Sequence, residues 1–317
     1  MVFNKQFAKH LSYILFILIL CSYRLNAEYI HILFTANING NLENCNCGKN
    51  SSGGIGRVNS FFSDFRNENK NAIIVDGGDY FNPYSFYILN AIMLQALDIM
   101  NYDVMFPGDQ EFVEGSELYH QYLKKVEKKI PISNLNETSD SELRFSFQTF
   151  DIYFYGYLSN DAFYFIKKPG EVSSLPFSKI KPETGKNSLQ VVILHGSLTE
   201  AKKISENSTW IDLILLGHDQ YSGIYQTGQT LIVGGGYDSE TVSIIRVKKS
   251  EKEYNKNINS HTNNDTEIEC RLLNEFQQFD TKEWNFIIWH KNIEKSITED
   301  KNIGKLINKY HTLIKNK

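Results

Sequence analysis

Short apolar runs alternate with amphipathic, helix-like segments along most of this chain, and this alternation limits the folds that it can adopt. Strand-like runs such as "YIHILFT", "NAIIVDGGD" and "LQVVILHG" are followed by segments with helical spacing of apolar residues, such as "SFYILNAIMLQALDIM". Apolar strands that alternate with helices form β-α units, and ligands bind at the carboxyl ends of such strands. The sequence therefore predicts an α/β fold with a functional site at a sheet edge.

The pattern changes in the second half of the chain. "RFSFQTFDIYFYGYLS" alternates like two antiparallel strands, and "SGIYQTGQTLIVGGGYDSETVSIIRVKK" is typical of an all-β stretch. Residues 250–265 are polar, rich in Asn and Lys and without periodicity, which predicts an exposed loop inserted in a hairpin. Residues 266–317 predict a returning strand and a final helix. We therefore predict one domain over residues 28–317, with its core at 29–248.

The first 27 residues have the order of a secretory signal peptide. Lys5 and Lys9 precede the apolar run "LSYILFILIL", and Ala27 offers a small residue for cleavage. The run is shorter than the roughly 20 apolar residues of a membrane span. The sequence therefore predicts export to the periplasm or cell envelope of a bacterium. An uncleaved anchor and a lipidated Cys21 are the alternatives.

The charge balance argues against nucleic acid as a partner. The chain has 33 basic and 37 acidic residues, a net charge of −4. Cleavage after residue 27 removes three basic residues, which leaves 30 against 37, or −7. No basic run interrupts this balance. Contact with a membrane is predicted only through an uncleaved signal or a lipid anchor.

Export would leave three cysteines, Cys45, Cys47 and Cys270. An odd number is not a disulfide framework, and a bridge between Cys45 and Cys47 would be strained. Structural or redox roles for these two residues therefore stand beside a third hypothesis, that they are auxiliary metal ligands.

Five predicted strand ends carry side chains of the types that bind metals. In chain order they are "TANING" (35–40), "DGGD" (76–79), "PGDQE" (107–111), "LHGS" (194–197) and "LGHDQ" (216–220). One Gly-Asp or Gly-His pair usually marks a turn or a helix cap. Five such ends in order, converging on one sheet edge, predict a site.

The order and spacing of these pieces resemble the calcineurin-like metallophosphoesterases, and within them the secreted 5′-nucleotidase branch. That family reads Asp-x-His, Gly-Asp, Gly-Asn-His-Glu, an isolated His and Gly-His-x-His. The corresponding stretches here are "FTANING", "IIVDGGDYF", "FPGDQEF", "VVILHG" and "DLILLGHDQ", within about residues 29–248. "GNLENCNCGKNSSGGIGRV" also resembles a Cys-x-Cys-Gly loop of a bacterial subset. The resemblance implies a four-layer α/β/β/α sandwich of two mixed sheets, with two metals that clamp a phosphate and activate a water.

Carried over residue by residue, the resemblance implies that one metal keeps its ligands while the other has lost them. The positions for the second metal are Asp79, which bridges both metals, Asp109 in place of the family's Asn, His195 and His218. The depleted first-metal positions are Asn37, Asn39 and Gln220. Neutral amides bind transition metals poorly compared with imidazole and carboxylate. Gln110 replaces the family's His beside the phosphate, and glutamine cannot carry a proton.

Each of these residues also has a structural interpretation. The retained aspartates could cap helices or turns, the two histidines could be satisfied core residues, and the asparagines could hold a turn through bonds to the backbone.

Three hypotheses about function follow. The first is a weak or inactive phosphoesterase that binds one divalent ion, Mn, Zn, Fe or Mg. The second is an active hydrolase of phosphate esters or nucleotides with a remodelled site. The third is a structural envelope protein that holds no metal. A nucleotide or phosphate ester as ligand is implied by the resemblance alone.

Overall fold

A computed structural model describes the chain over residues 29–43, 52–135, 143–170, 172, 176–182, 187–250, 266–268 and 276–316. The predicted signal peptide, all four cysteines and nearly all of the predicted loop at 250–265 lie outside the described residues. Within the described ranges, no helix is long and apolar enough to span a membrane.

The described residues form thirteen strands and five α-helices. The strands are β1 (Ile30–Thr35), β2 (Ala72–Asp76), β3 (Val104–Met105), β4 (Leu143–Ser146), β5 (Asp151–Leu158), β6 (Ser188–Gly196), β7 (Leu213–His218), β8 (Ile224–Thr227), β9 (Thr230–Gly234), β10 (Thr241–Lys249), β11 (Thr266–Ile268), β12 (Gln277–Asp280) and β13 (Trp284–Asn292). The helices are α1 (Ile55–Glu68), α2 (Tyr87–Met100), α3 (Ser116–Val126), α4 (Leu198–Asn207) and α5 (Lys301–Lys315). A 3-10 turn spans Gln110–Phe112.

The strands form two mixed sheets. The first has the order β12-β13-β10-β1-β2-β3 and the second the order β11-β8-β9-β7-β6-β5-β4. β1, β2 and β3 run parallel in the first sheet, and β5, β6, β7 and β9 run parallel in the second. The predicted four-layer α/β/β/α sandwich of two mixed sheets is confirmed, and so is the predicted antiparallel pair β4 and β5.

The second sheet separates two apolar cores, as the alternation along β6 shows. Leu189, Val191 and Ile193 point into the core shared with the first sheet. Val192 and Leu194 point the other way, into a smaller core that α4 covers. Successive side chains of a strand face opposite sides of a sheet, so burial of the whole strand requires a layer on each face. The unbroken apolar run "VVIL", residues 191–194, reflects this double burial.

Strand β13 is a structural element that the sequence analysis did not predict. It pairs with β10 over its full length and forms a hairpin with β12. Trp284, Phe286 and Ile288 are fully buried on one face. Ile287 and Trp289 on the other face make the run apolar without a clean period of two, and this obscures the strand signal.

His290 on β13 should make stability depend on pH. Its Nδ1 lies 2.8 Å from Ser243 Oγ, whose hydroxyl donates to the Gly234 carbonyl oxygen, and burial lowers the pKa of His290 to about 4. The unfolded chain, with a histidine pKa of about 6.5, takes up the proton first, so stability is lost as pH falls below that value. We expect the free energy of unfolding to fall by about 2 kcal/mol more between pH 7 and pH 5 than in His290→Asn. Urea unfolding at both pH values measures this, and equal pH dependence in both proteins would contradict it.

Candidate metal centre

The five predicted strand ends meet at one place, but they come from both sheets. β1, β2 and β3 of the first sheet end there, beside the ends of β6 and β7 of the second. Asp79 and Asp109 follow β2 and β3, whereas His195 and His218 lie in the last residues of β6 and β7. The sequence pattern predicts a single sheet edge, and the structure differs in this respect. Two stacked sheets bring the carboxylates and the imidazoles in from opposite sides.

Sharp turns carry the polar side chains into this space. Four residues here adopt a left-handed backbone: Asn37 (φ 54°), Asn39 (φ 56°), Asp79 (φ 57°) and His218 (φ 71°). Non-glycine residues rarely adopt this conformation, which costs on the order of 1–3 kcal/mol each and concentrates at functional sites. Asparagine tolerates it better than most residues, so the two asparagines suit the backbone whether or not a metal is bound.

Two glycines let the loops approach closely. Gly78 has φ 96°, and a Cβ there would collide with the backbone of Gly108 and with the His195 ring. A Cβ on Gly108 would overlap the Asp79 carboxylate and the same ring. Glycine at both positions is therefore what allows the loops after β2 and β3 to lie against the histidine.

The structure brings the four predicted ligands of the second metal together. One ligand atom from each of Asp79, Asp109, His195 and His218 lies within 4.8 Å of the others. His195 Nε2 is 3.2 Å from Asp79 Oδ1 and 3.2 Å from Asp109 Oδ1, and His218 Nδ1 is 3.1 Å from Asp109 Oδ1. Neighbouring ligands of a tetrahedral ion with bonds of about 2.1 Å stand about 3.4 Å apart. The cluster therefore has the size and the donor types of a divalent-metal site.

His195 is oriented for metal binding by a backbone contact. Its Nδ1 lies 2.8 Å from the Gly77 carbonyl oxygen, which can only accept, so Nδ1 carries the proton and Nε2 faces the carboxylates. Burial opposes protonation of this ring, but Asp79 and Asp109 outweigh it and raise the pKa of His195 well above its ordinary value. The pocket thus attracts positive charge.

Asp109 has the complementary shift. Burial would raise the pKa of its carboxyl, but hydrogen bonds from His195 and His218 hold that pKa well below its usual range. The carboxylate is therefore ionised at neutral pH, as a metal ligand must be. An amide at this position, as in the resembling family, would lack this negative charge.

Asn37 is fully engaged as a structural residue. Its Nδ2 donates to the carbonyl oxygens of Gly236 (2.8 Å) and Asp219 (3.1 Å). Its Oδ1 accepts from the backbone N–H of His218 at 2.8 Å. An aspartate could not donate the first two bonds. Asn37 therefore fixes the backbone of His218 instead of offering a free oxygen.

Asn39 and Gln110 are engaged with each other. Gln110 Nε2 donates to Asn39 Oδ1 and to Asp79 Oδ2, both at 3.0 Å. Asn39 Nδ2 donates to Asp238 Oδ1 at 2.8 Å. Gln220, the remaining depleted position, is exposed. Asn39 and Gln110 thus form a hydrogen-bonded network with Asp79 and Asp238, and the amide groups at the three depleted positions do not fit a second transition metal.

Glu111 is a site residue that sequence reasoning missed. Its buried carboxylate accepts from the backbone N–H groups of Asp79 (3.1 Å), Tyr80 (2.8 Å), Phe81 (3.0 Å) and Gly108 (2.6 Å). Burial raises its pKa to about 7. The sequence did carry a signal for Glu111, because "PGDQE" ends in the glutamate of the Gly-Asn-His-Glu pattern. Glu111 ties the two carboxylate-bearing loops together.

Comparison with solved structures finds the same fold in phosphoesterases and nucleotidases. A 5′-nucleotidase precursor from Thermus thermophilus matches with a TM-score of 0.69 and 14% identity, over 91% of this chain and 59% of that one. The Haemophilus influenzae NAD nucleotidase NadN matches with a TM-score of 0.65 and 15% identity, over 90% and 60%. The calcineurin-like phosphoesterase YfkN from Bacillus subtilis matches with a TM-score of 0.59 and 14% identity, over 90% and 97%.

This chain spans about 60% of the length of the two nucleotidases. No protein-family model matches the sequence, and no curated protein matches it. At identities of 14–15% the likeness concerns the fold. The chain has the fold of the calcineurin-like metallophosphoesterases and 5′-nucleotidases, with an Asp/His cluster that could hold a metal.

Proposed function

We propose that this chain is an exported phosphoesterase-fold protein that binds one divalent metal ion and has weak or no hydrolytic activity. Asp79, Asp109, His195 and His218 would hold the ion. The observation that carries the proposal is the pair of bonds from Gln110 Nε2 to Asn39 and Asp79. An amide group there satisfies the carboxylate oxygen that a first metal would otherwise neutralise.

Export rests on the basic, apolar and small-residue order of residues 1–27. A phosphate ester or nucleotide is the ligand class we propose, because the similar folds are phosphoesterases and nucleotidases. A bound divalent ion would supply Lewis-acid stabilisation of a phosphate oxygen and lower the pKa of a bound water.

The chain's own residues set the limit on turnover. In-line phosphoryl transfer needs stabilisation of both the attacking and the leaving oxygen. Gln110 can donate a hydrogen bond to a phosphate but cannot give a proton to the leaving group. Asn37 and Asn39 are committed to hydrogen bonds with the backbone and with Asp238. These residues support ligand binding without efficient proton transfer.

An aryl phosphate assay with added Mn²⁺ tests the proposal. We expect turnover at least about a hundredfold below the usual enzymatic range of about 1–10³ s⁻¹. His218→Ala, at the rim of the cluster, is the control that distinguishes this site from a contaminating phosphatase. A turnover number of about 1 s⁻¹ or more that His218→Ala abolishes would refute the proposal and support the active, remodelled enzyme.

A further inference from the structure

Two loops beside the candidate metal centre, together with the first residue of α2, hold aromatic side chains in solvent. One follows β2 and the other follows β5, and both strands end at the same side of the molecule as the cluster. The aromatic patch is defined by Tyr84 (73% exposed), Phe86 (56%), Tyr87 (53%), Tyr164 (81%) and Phe165 (92%). Clustered exposed apolar side chains of this kind mark interaction surfaces.

The two halves of the aromatic patch flank one short segment, residues 112–114. On one side, Ser85 Oγ donates to Glu114 Oε2 at 2.8 Å. On the other, the Phe112 ring packs edge-on against Phe163 with centroids 5.8 Å apart. Phe163 directly precedes the exposed pair in the second loop. Both halves of the patch therefore adjoin the same short segment, one through Ser85 and the other through Phe163.

The shape of the second loop does not suit a small planar ligand. The Tyr164 and Phe165 rings meet edge to face, with centroids 4.8 Å apart and an angle of 89°. Stacking a planar ring between them would need two parallel faces. A tip of two perpendicular and almost fully exposed rings instead has the form of a wedge.

The residues around this tip match a lipid surface. Tyrosine and phenylalanine favour the interface between lipid and water, where their rings are half-buried among headgroups. Lys167 and Lys168 follow the tip after Ile166, and lysines near a bilayer are attracted to anionic headgroups. Of the nearby acidic groups, Glu114 accepts from Ser85 and Asn90, and Asp161 lies at the base of the loop. Residues 164–168, the tip and the three residues after it, thus carry two lysines and no acidic residue, on a chain whose net charge is negative.

We propose that the aromatic patch docks this protein on the surface of an anionic lipid bilayer, with Tyr164 and Phe165 in the interface and the candidate metal centre facing the membrane. This contact is separate from the predicted signal peptide and from lipidation at Cys21. It does not depend on metal binding or hydrolysis.

Depth-dependent fluorescence quenching tests this proposal on the full chain. Phe165→Trp is compared with Lys70→Trp, because Lys70 is exposed in the turn before β2, at the opposite end of the strands. Both variants retain residues 1–28, so any insertion by that segment affects them equally. The signal of the three native tryptophans is subtracted with the unsubstituted protein. The vesicles contain phosphatidylglycerol and phosphatidylcholine with brominated acyl chains.

We expect quenching of Phe165→Trp at least twofold greater than that of Lys70→Trp, and a loss of this difference when Tyr84→Ser and Phe86→Ser are added. Phosphatidylcholine vesicles alone should bind several-fold more weakly. Equal quenching of the two tryptophan variants would overturn the proposal. Burial of the new indole without lipid, in a dimer detected by sedimentation, would assign the patch to a second copy of the chain and likewise overturn it.

Discussion

Replacing His195 with alanine is expected to lower the affinity for Mn²⁺ or Zn²⁺ by at least about a hundredfold, because even residues that only orient metal ligands contribute about 10–100-fold. His195 is fully buried and contacts both carboxylates of the cluster, so no other described side chain replaces it. Titration of the metal-free protein should give about one equivalent per chain, and His195→Ala should lose it.

Two further variants separate lost ligation from lost folding. His218→Ala removes a half-buried ligand and should weaken binding with little loss of stability. Gln220→Ala alters an exposed depleted position and should leave the titration unchanged. Two equivalents per chain would refute the one-metal proposal and would make Cys45 and Cys47 the first residues to substitute. No binding in the unsubstituted protein would favour the structural envelope hypothesis.

The Glu111→Ala substitution is expected to lower the free energy of unfolding by about 3–5 kcal/mol, because it leaves buried donors without an acceptor. Four backbone N–H groups from the two ligand loops donate to this one carboxylate. Glu111→Gln keeps one acceptor oxygen and should cost less, about 1–3 kcal/mol.

Urea unfolding at pH 8 measures both changes. Glu206→Ala, at an exposed position near the end of α4, is the matched control and should change stability by less than about 0.5 kcal/mol. Equal stability of Glu111→Ala and Glu206→Ala would show that the N–H groups find other acceptors, and that Glu111 does not hold the loops together.

The sequence pattern predicted the α/β class and the strand ends because both depend on local order. The run of β6 is apolar on both faces, and "GD" and "GH" pairs stand at or just after strand ends in a fixed order. The same pattern left β13 unpredicted, because its second face mixes polar Asn285 with apolar Ile287 and Trp289. The run is therefore neither cleanly alternating nor continuously apolar.

The sequence by itself determined which chemical groups are present: two carboxylates and two imidazoles at strand ends, and amides at the depleted positions. Only the tertiary structure decided how they are used. It stacks two sheets so that His195 faces Asp79 and Asp109, and it commits Gln110 to Asp79 and Asn39. The physical reason is the distance along the chain over which each feature acts. Residue types and their periodicity are local, whereas a bond between residues 31 or 71 positions apart depends on how the sheets pack.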